Sequence, residues 1–149
     1  MLPVYENEEQ FKGPQLYGPN GNRIAPDMLV VSTVGKACWI EAKHKTRFTW
    51  HRITKRWTTG IDLHYYSEYV KIATEIDWPV WLLFLHIESE PWASDIESGC
   101  PAQCPIGLFG GNLLTLKGRE NHRHDNHGKS GMVYWNYEIL TKLADVSEL

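Results

Sequence analysis

Apolar residues occur in short blocks along this chain, and most of the blocks have the length and composition of β-strands. Residues 2–5 form a first apolar stretch, and residues 27–31 and 37–43 are rich in apolar and β-branched side chains, which predicts further strands. Turn-forming residues fill 33–36, between the second and third blocks. We therefore expect residues 27–43 to form an antiparallel hairpin.

A different periodicity marks residues 63–76. Apolar side chains recur there at intervals of three and four residues, which aligns them on one face of a helix. The side chains on this face are Leu63, Tyr66, Val70, Ala73 and Ile76. We expect Asp62 to cap the helix at its N-terminus and Pro79 to follow its end. The run 80–87, which is apolar except for His86, then predicts a strand that is buried on both faces.

This order of elements predicts an α/β fold, with a mixed central β-sheet flanked by helices. The length is typical of a single domain, which we assign to residues 1–149, with its core over about 1–87. Residues 88–149 are less regular, although 106–116 and 132–137 are apolar. We expect them to form a loop-rich extension of the same domain.

Composition narrows the class of protein. A formal charge of −3, with 42% hydrophobic and 22% charged residues, is typical of a globular protein and excludes a uniformly cationic one. Three cysteines are too few for a disulfide framework. The N-terminal residues lack a signal-peptide pattern, and the longest apolar run, 80–85, is too short to cross a bilayer. We therefore expect a cytoplasmic protein with no membrane partner.

Three charged residues stand out within the predicted hairpin. Residues two apart on a strand point to the same face, so Glu41 and Lys43 project together while Ile40 and Ala42 face the core. Asp27 begins the neighbouring strand, and the hairpin can therefore bring its carboxylate beside that of Glu41. The competing interpretation is that these charges are solvated surface residues at strand ends.

The chemistry of this set favours a metal site. Two adjacent carboxylates repel each other unless a cation lies between them. A hard cation such as Mg²⁺ suits such a pair, because it binds a few carboxylates and keeps several waters. A nearby lysine can orient or deprotonate a metal-activated water, which would equip the site to hydrolyse a phosphodiester.

The pattern resembles a known superfamily of nucleases. Pro26-Asp27, then Glu41-Ala42-Lys43 on the next strand, then a helix and a buried strand, are similar to the PD-(D/E)xK nucleases of the restriction-endonuclease-like fold. The similarity is greatest to the small Holliday-junction-resolvase-like branch, which includes many phage and archaeal proteins. The resemblance covers about residues 1–87.

The resemblance implies roles for particular residues. Asp27 and Glu41 would bind Mg²⁺ or Mn²⁺ together with the main-chain carbonyl of Ala42, and Lys43 would be the catalytic lysine. Family members often direct a Gln or Tyr from the next helix towards the site. In this chain Tyr65 or Tyr69 can take that place.

The resemblance also implies a function, a metal-dependent DNA endonuclease acting on branched or structured DNA, and a homodimer would suit such a substrate. One departure is that the family usually opens with a helix carrying an acidic residue, whereas a strand is predicted here from Leu2. Glu6, Glu8 and Glu9 are substitutes among which the sequence does not choose. This departure motivates the alternative of a catalytically inactive nucleic-acid-binding module on the same fold.

Positive charge is concentrated just after the proposed lysine. Residues 43–57 hold six of the fifteen Lys and Arg residues and no acid, and clustered cations bind phosphates. Phe48, Trp50 and Trp57 lie among them and could stack on bases, or could instead pack into the core. The proposed nucleic-acid-binding residues are Lys45, Arg47, Arg52, Lys55 and Arg56.

Cysteines and histidines in the C-terminal part suggest a second metal. Cys100 and Cys104 could join His122 and His124 in a tetrahedral zinc site. The histidines could equally bind phosphate, act as acid and base, or be surface residues. The zinc interpretation gives a further alternative function, a zinc-stabilised interaction domain.

Overall fold

The structure is a computed structural model that describes residues 2–4, 15–18 and 20–149. These residues form twelve short strands, three α-helices and two 3₁₀ turns. The strands are β1 (Leu2–Val4), β2 (Gln15–Gly18), β3 (Gly21–Ile24), β4 (Met28–Val31), β5 (Ala37–Lys45), β6 (Thr49–His51), β7 (Arg56–Asp62), β8 (Val80–His86), β9 (Gly107–Asn112), β10 (His122–His124), β11 (Met132–Asn136) and β12 (Thr141–Ala144). The helices are α1 (Leu63–Glu75), α2 (Ala93–Glu97) and α3 (Leu113–Lys117), and the 3₁₀ turns are Tyr137–Ile139 and Val146–Glu148.

The central sheet has five strands in the order β12-β9-β8-β5-β4. Strands β5 and β8 are parallel, and the other neighbours are antiparallel, so the sheet is mixed as the sequence predicts. The expected hairpin is confirmed as β4 and β5, in which Met28 pairs with Ile40. The parallel pair is joined through β6, β7 and α1, because parallel neighbours need a crossover connection.

The two faces of this sheet differ. The inner face, which carries Trp39, Glu41, Leu82 and Phe109, is buried, and α1 and α3 both pack on it. The outer face is formed by the alternate residues that point the other way. It includes Met28, Val30, Ile40, Trp81, Leu83 and Leu85, none of which is fully buried. The expectation that β8 is buried on both faces is therefore wrong, since only alternate residues of this strand are buried.

Helix α1 is confirmed, but the face that it buries is rotated slightly from the predicted one, and the two faces share Tyr66. Tyr66, Tyr69 and Ile72 are its buried side chains, whereas Leu63 and Val70 are only partly buried. The stripe differs because the helix packs against the central sheet through Tyr69 and against β11 through Tyr66.

The segment expected to be loop-rich contributes regular elements. Strands β9 and β12 extend the central sheet, and β10 and β11 build a second sheet in the order β10-β11-β7-β6. A third sheet, β1-β2-β3, is antiparallel and contains the strand predicted at Leu2. The buried side chains of the N-terminal and C-terminal parts form one cluster, which includes Trp39, Phe84 and Trp135. Within the described residues, no helix combines the length and apolar character that crossing a membrane requires.

Candidate functional site

The β4–β5 hairpin brings Asp27 and Glu41 together. Asp27 directly precedes β4, and the antiparallel register places it across from Glu41. Each carboxylate accepts a hydrogen bond from the opposite segment. The Asp27 amide donates to Glu41 Oε2 at 3.2 Å, and the Ala42 amide donates to Asp27 Oδ2 at 3.0 Å. These two bonds fix the carboxylates side by side at the end of the hairpin farthest from its turn.

Lysine and tyrosine side chains complete the site. Lys43 lies two residues beyond Glu41 on the inner face and forms an ion pair with its carboxylate. Tyr69 of α1 hydrogen-bonds to Glu41, and the ammonium of Lys43 lies 5.5 Å from the ring centre of Tyr65. The sequence left open which tyrosine faces the site, and the structure brings both to it.

Burial and the ion pair act in opposite directions on the pKa values of both Glu41 and Lys43. Burial raises the pKa of Glu41, although Lys43 and the hydroxyl of Tyr69 oppose this rise. Burial on its own would lower the pKa of Lys43, but the bond to Glu41 and the charge of Asp27 outweigh it, so that the pKa of Lys43 is raised. Lys43 is therefore a protonated hydrogen-bond donor at neutral pH.

The donor atoms of this site suit a hard divalent cation. Asp27 is exposed whereas Glu41 is 1% exposed, so one carboxylate is held inside the fold while the other opens to solvent. The two carboxylates are oxygen donors of the kind that Mg²⁺ prefers, and the main-chain carbonyl of Ala42 is the further ligand that the resemblance implies. Across the described ranges, no group of three or more His, Cys, Asp or Glu side chains is arranged to hold a metal.

A third acidic ligand is not identified within the described residues. The candidates named from the sequence, Glu6, Glu8 and Glu9, all lie outside the part of the chain that the structure describes. Asp62, which was expected to cap α1, lies close enough to Lys45 to influence its pKa.

The outward side of β5 differs from the expectation. Ile40 and Ala42 were expected to face the core, but Ala42 is exposed and Ile40 is only partly buried. The inner face carries Trp39, Glu41 and Lys43 instead, and so the charged site lies between the sheet and α1. This placement explains why Glu41 is desolvated.

Lys45, Asp62 and the loop 125–131 extend the site. Lys45 lies two residues beyond Lys43 on the same face; burial lowers its pKa, as does the charge of Lys43, and Asp62 opposes them. The side chain of Asp62 makes no capping bond to α1, although Asp62 occupies the N-cap position; it accepts from the Lys129 amide at 3.3 Å. An acid just before a helix is the one sequence signal that pointed to this position.

The proposed nucleic-acid-binding cations do not form one surface. Arg47 pairs with Glu88, and its guanidinium lies 3.9 Å from the ring centre of Trp92. Arg56 reaches Glu138 at 3.7 Å, while Arg52 and Lys55 are exposed in the turn between β6 and β7. β7 runs from this turn to Asp62 and spans about 20 Å. The turn is therefore well separated from the carboxylates.

Two of the three aromatic side chains within the basic stretch are core residues, and the third, Trp50, is half-buried. Phe48 is 0% exposed and stacks on His86 with ring centres 3.7 Å apart. Trp57 is also buried and contacts the half-buried Trp50 edge-on. The idea that Phe48 and Trp57 stack on exposed bases is therefore wrong, because both have been removed from solvent by packing.

The cysteines and histidines lie in separate groups. Cys100 and Cys104 lie near Asp95, and burial raises the pKa of both thiols, that of Cys104 to about 11. His122 stacks on His51 with ring centres 3.8 Å apart. His124 stacks on His127, which lies in the following loop. The imidazoles line a cavity of about 390 Å³ whose lining does not include the cysteines.

Two histidines are expected to make the fold sensitive to acid. Burial lowers the pKa of His86 to about 4, and burial with neighbouring imidazoles lowers the pKa of His122 to about 4. The unfolded chain binds these protons below about pH 6.5, whereas the folded chain binds them only near pH 4. We expect the free energy of unfolding to fall as the pH drops through this window and to be unaffected by these groups above it.

The test is urea unfolding of the wild type and of His86→Phe between about pH 7.5 and about pH 4.5. Phenylalanine keeps a ring against Phe48 but binds no proton. The variant should lose less stability on acidification than the wild type. Equal losses would show that His86 does not contribute to the acid sensitivity.

This chain was compared with protein-family models, with curated proteins and with solved structures. No family model, no curated protein and no solved structure matches this chain.

Proposed function

We propose that this protein is a metal-dependent DNA endonuclease built on a restriction-endonuclease-like core. The observation that carries the proposal is the arrangement of Asp27, Glu41 and Lys43. Two carboxylates are fixed side by side by main-chain hydrogen bonds, and a protonated lysine lies next to the buried one. The PD-(D/E)xK motif requires these three side chains at one place, and sequence spacing alone does not guarantee it.

Asp27, Glu41 and the carbonyl of Ala42 would hold Mg²⁺ or Mn²⁺. The cation would lower the pKa of a water and offset negative charge on the phosphoryl group. Lys43 would donate hydrogen bonds and positive charge, since its ammonium already pairs with the carboxylate of Glu41. A cation that takes over the charge of Glu41 would free the ammonium of Lys43 to orient a water or a phosphate oxygen.

Tyr69 and Tyr65 position these groups. The hydroxyl of Tyr69 bonds to Glu41 and restricts the orientation of that carboxylate. Tyr65 covers the ammonium of Lys43, and such a contact favours the charged form of the lysine. Lys45, farther along the same strand face, supplies a cation for the phosphate next to the one that is cleaved.

DNA is the substrate class that this proposal implies. Exposed Arg52 and Lys55 would contact the phosphate backbone away from the metal site, and this contact would depend on salt concentration. The resemblance to junction resolvases favours branched or structured DNA and a homodimer. A cytoplasmic location would keep the cysteines of the chain reduced.

The experiment is cleavage of labelled branched, flapped, nicked and single-stranded DNA with Mn²⁺, comparing the wild type with Asp27→Asn and Lys43→Ala. We expect each substitution to lower the cleavage rate at least ~100-fold, because each removes charge from the reacting centre. Asp77→Asn and Lys36→Ala are matched controls in exposed positions and should cleave like the wild type.

Two outcomes would oppose the proposal. Metal-dependent cleavage that survives both Asp27→Asn and Lys43→Ala would place the chemistry elsewhere or in a contaminant. Salt-sensitive DNA binding by a wild type that cleaves none of the substrates would instead favour the inactive nucleic-acid-binding module.

A further inference from the structure

The second sheet, β10-β11-β7-β6, is curled so that its two edge strands come into contact. Asn121, just before β10, donates from its side-chain amide to Thr54 in the β6–β7 turn at 2.9 Å. His51 of β6 and His122 of β10 stack with ring centres 3.8 Å apart and ring planes 8° apart. The concave face of this sheet borders the cavity of about 390 Å³ that the imidazoles line, a size typical of small-molecule sites.

Aromatic rings form one wall of this cavity. His122 also stacks on Tyr134 of β11, with ring centres 4.5 Å apart and ring planes 6° apart. The three nearly parallel rings of His51, His122 and Tyr134 therefore form a column. Tyr134 pairs with Gly60 of β7, and a Cβ atom on Gly60 would lie 2.9 Å from Tyr134 Cδ1. The glycine thus leaves room for the tyrosine ring to lie close to the neighbouring strand.

The hydrogen bonds around His122 fix which of its ring nitrogens carries the proton. The side-chain amide nitrogen of Asn121 donates to Thr54 and to Asn136, so the side-chain oxygen of Asn121 is an acceptor. This oxygen lies 2.6 Å from His122 Nδ1, which must therefore be the N–H donor. Nε2 of the neutral ring keeps a lone pair and can accept a hydrogen bond from a ligand.

Other lining residues add donors and acceptors. The Asn126 amide donates to His124 Nδ1 at 3.3 Å, so Nε2 of the neutral His124 ring is an N–H donor. Asp95, which is 6% exposed, contributes a carboxylate, and Ser94 and Ser98 contribute hydroxyl groups. Flat aromatic walls with a few donors and acceptors suit a heteroaromatic ring that carries hydrogen-bonding groups on its edge.

Charge distinguishes such a ring from a bare anion. Burial lowers the pKa of His51 and of His127, and burial with neighbouring imidazoles lowers that of His122 to about 4. Because these rings are largely neutral at neutral pH, they give a bare phosphate little attraction but can still stack on a planar ring. Among the described residues, Arg52 is the only Lys or Arg in the lining, and it can contact a phosphate attached to such a ring.

We propose that this cavity binds a nucleobase, which stacks on the column of rings and directs its hydrogen-bonding edge to the imidazoles. Unpaired bases are bound by proteins in this way, through stacking on aromatic side chains and hydrogen bonds to their exposed edges. The base can belong to a free nucleotide or to an unpaired residue of a strand, since both present the same ring. The cavity lies at the second sheet, whereas the candidate metal site lies on the central sheet, so the two sites are distinct.

The test is isothermal titration calorimetry of the intact chain with AMP, CMP, GMP and UMP, without divalent cations. At least one nucleotide should bind with a Kd below about 1 mM, and ribose 5-phosphate should bind at least ~10-fold more weakly, because the base provides the stacking surface. A single-stranded oligonucleotide and its abasic counterpart form the second arm. Base-dependent binding in the second arm alone would identify the base of a strand, rather than a free nucleotide, as the ligand.

His122→Leu should weaken base-dependent binding at least ~10-fold, because leucine keeps the bulk of the side chain but offers neither a flat ring nor an acceptor. His44→Leu is the matched control, since His44 is exposed on the outer face of the central sheet. It should bind like the wild type.

Three results would overturn the proposal. The first is that neither the nucleotides nor the oligonucleotide bind more tightly than their base-free counterparts. The second is base-dependent binding that is unchanged in His122→Leu. If circular dichroism shows that His122→Leu is unfolded, Ser98→Trp replaces it, because Ser98 is an exposed lining residue and an indole there would fill the cavity. Unchanged binding by that variant is the third result. No divalent cation is present in these titrations, so the nucleobase site and the proposed nuclease activity can fail independently.

Discussion

Glu41→Gln is expected to reduce Mn²⁺-dependent DNA cleavage by about 10³-fold. A metal ion contributes several kcal/mol to the stabilisation of charge in phosphoryl transfer, and this contribution depends on carboxylate ligands. Glutamine keeps an oxygen at the same place but removes the negative charge that the buried end of the site supplies. The amide of Asp27 can still donate to it, so the hairpin should keep its geometry.

Metal binding provides a second readout of the same change. Titration of Mn²⁺ without DNA should show at least ~10-fold weaker binding to Glu41→Gln than to the wild type. Glu75→Gln is the matched control, because Glu75 lies at the other end of α1 in an exposed ion pair with Arg23. It should leave cleavage and metal affinity unchanged. Wild-type metal affinity in Glu41→Gln would contradict the assignment of Glu41 as a ligand.

Trp135→Ala is expected to lower the free energy of unfolding by about 3–5 kcal/mol, the typical cost of removing a large buried aromatic side chain. Trp135 is 0% exposed, and its ring centre lies 5.7 Å from that of Tyr66. Its indole Nε1 donates to the carbonyl of Leu116 at 2.9 Å. The substitution would therefore leave a cavity where β11, α1 and α3 meet.

Urea unfolding measures this effect, and a shift of the midpoint without a change in slope reports stability alone. Trp92→Ala is the matched control, because Trp92 is 47% exposed and loses mainly its contact with Arg47. We expect that control to cost less than about 1 kcal/mol. Equal losses from both tryptophans would mean that Trp135 does not hold the second sheet to the helices.

Local signals in the sequence were sufficient for the hairpin and for α1. The hairpin is predicted by turn residues between two β-branched blocks, and α1 by apolar residues spaced three and four apart. Both signals involve only residues that are close in sequence. The hairpin prediction in turn placed Asp27 beside Glu41, because register follows from the turn. The carboxylate pair was thus accessible from sequence. A tyrosine facing it, Tyr65 or Tyr69, was expected only because the resemblance implies one, and the burial of Glu41 was not predicted, since it depends on packing across the fold.

Other features required the tertiary structure. Before Glu41, the residues on both faces of β5 are apolar. The sequence therefore could not decide whether Trp39 or Ile40 faces the core. The basic stretch was treated as one surface, but it contains β6 and part of β7, and alternate residues of a strand have opposite environments. Trp57 therefore enters the core while Arg56 stays exposed.

The pairing of β7 with β11 has a consequence for how the chain folds. Ile61 pairs with Val133, so the strand that leads into α1 finds its neighbour about 70 residues later. A nascent chain that ends before β11 would leave one edge of β7 without its partner. Such non-local pairing slows folding, and we expect this protein to reach its native state in milliseconds to seconds, only after its C-terminal strands have been synthesised.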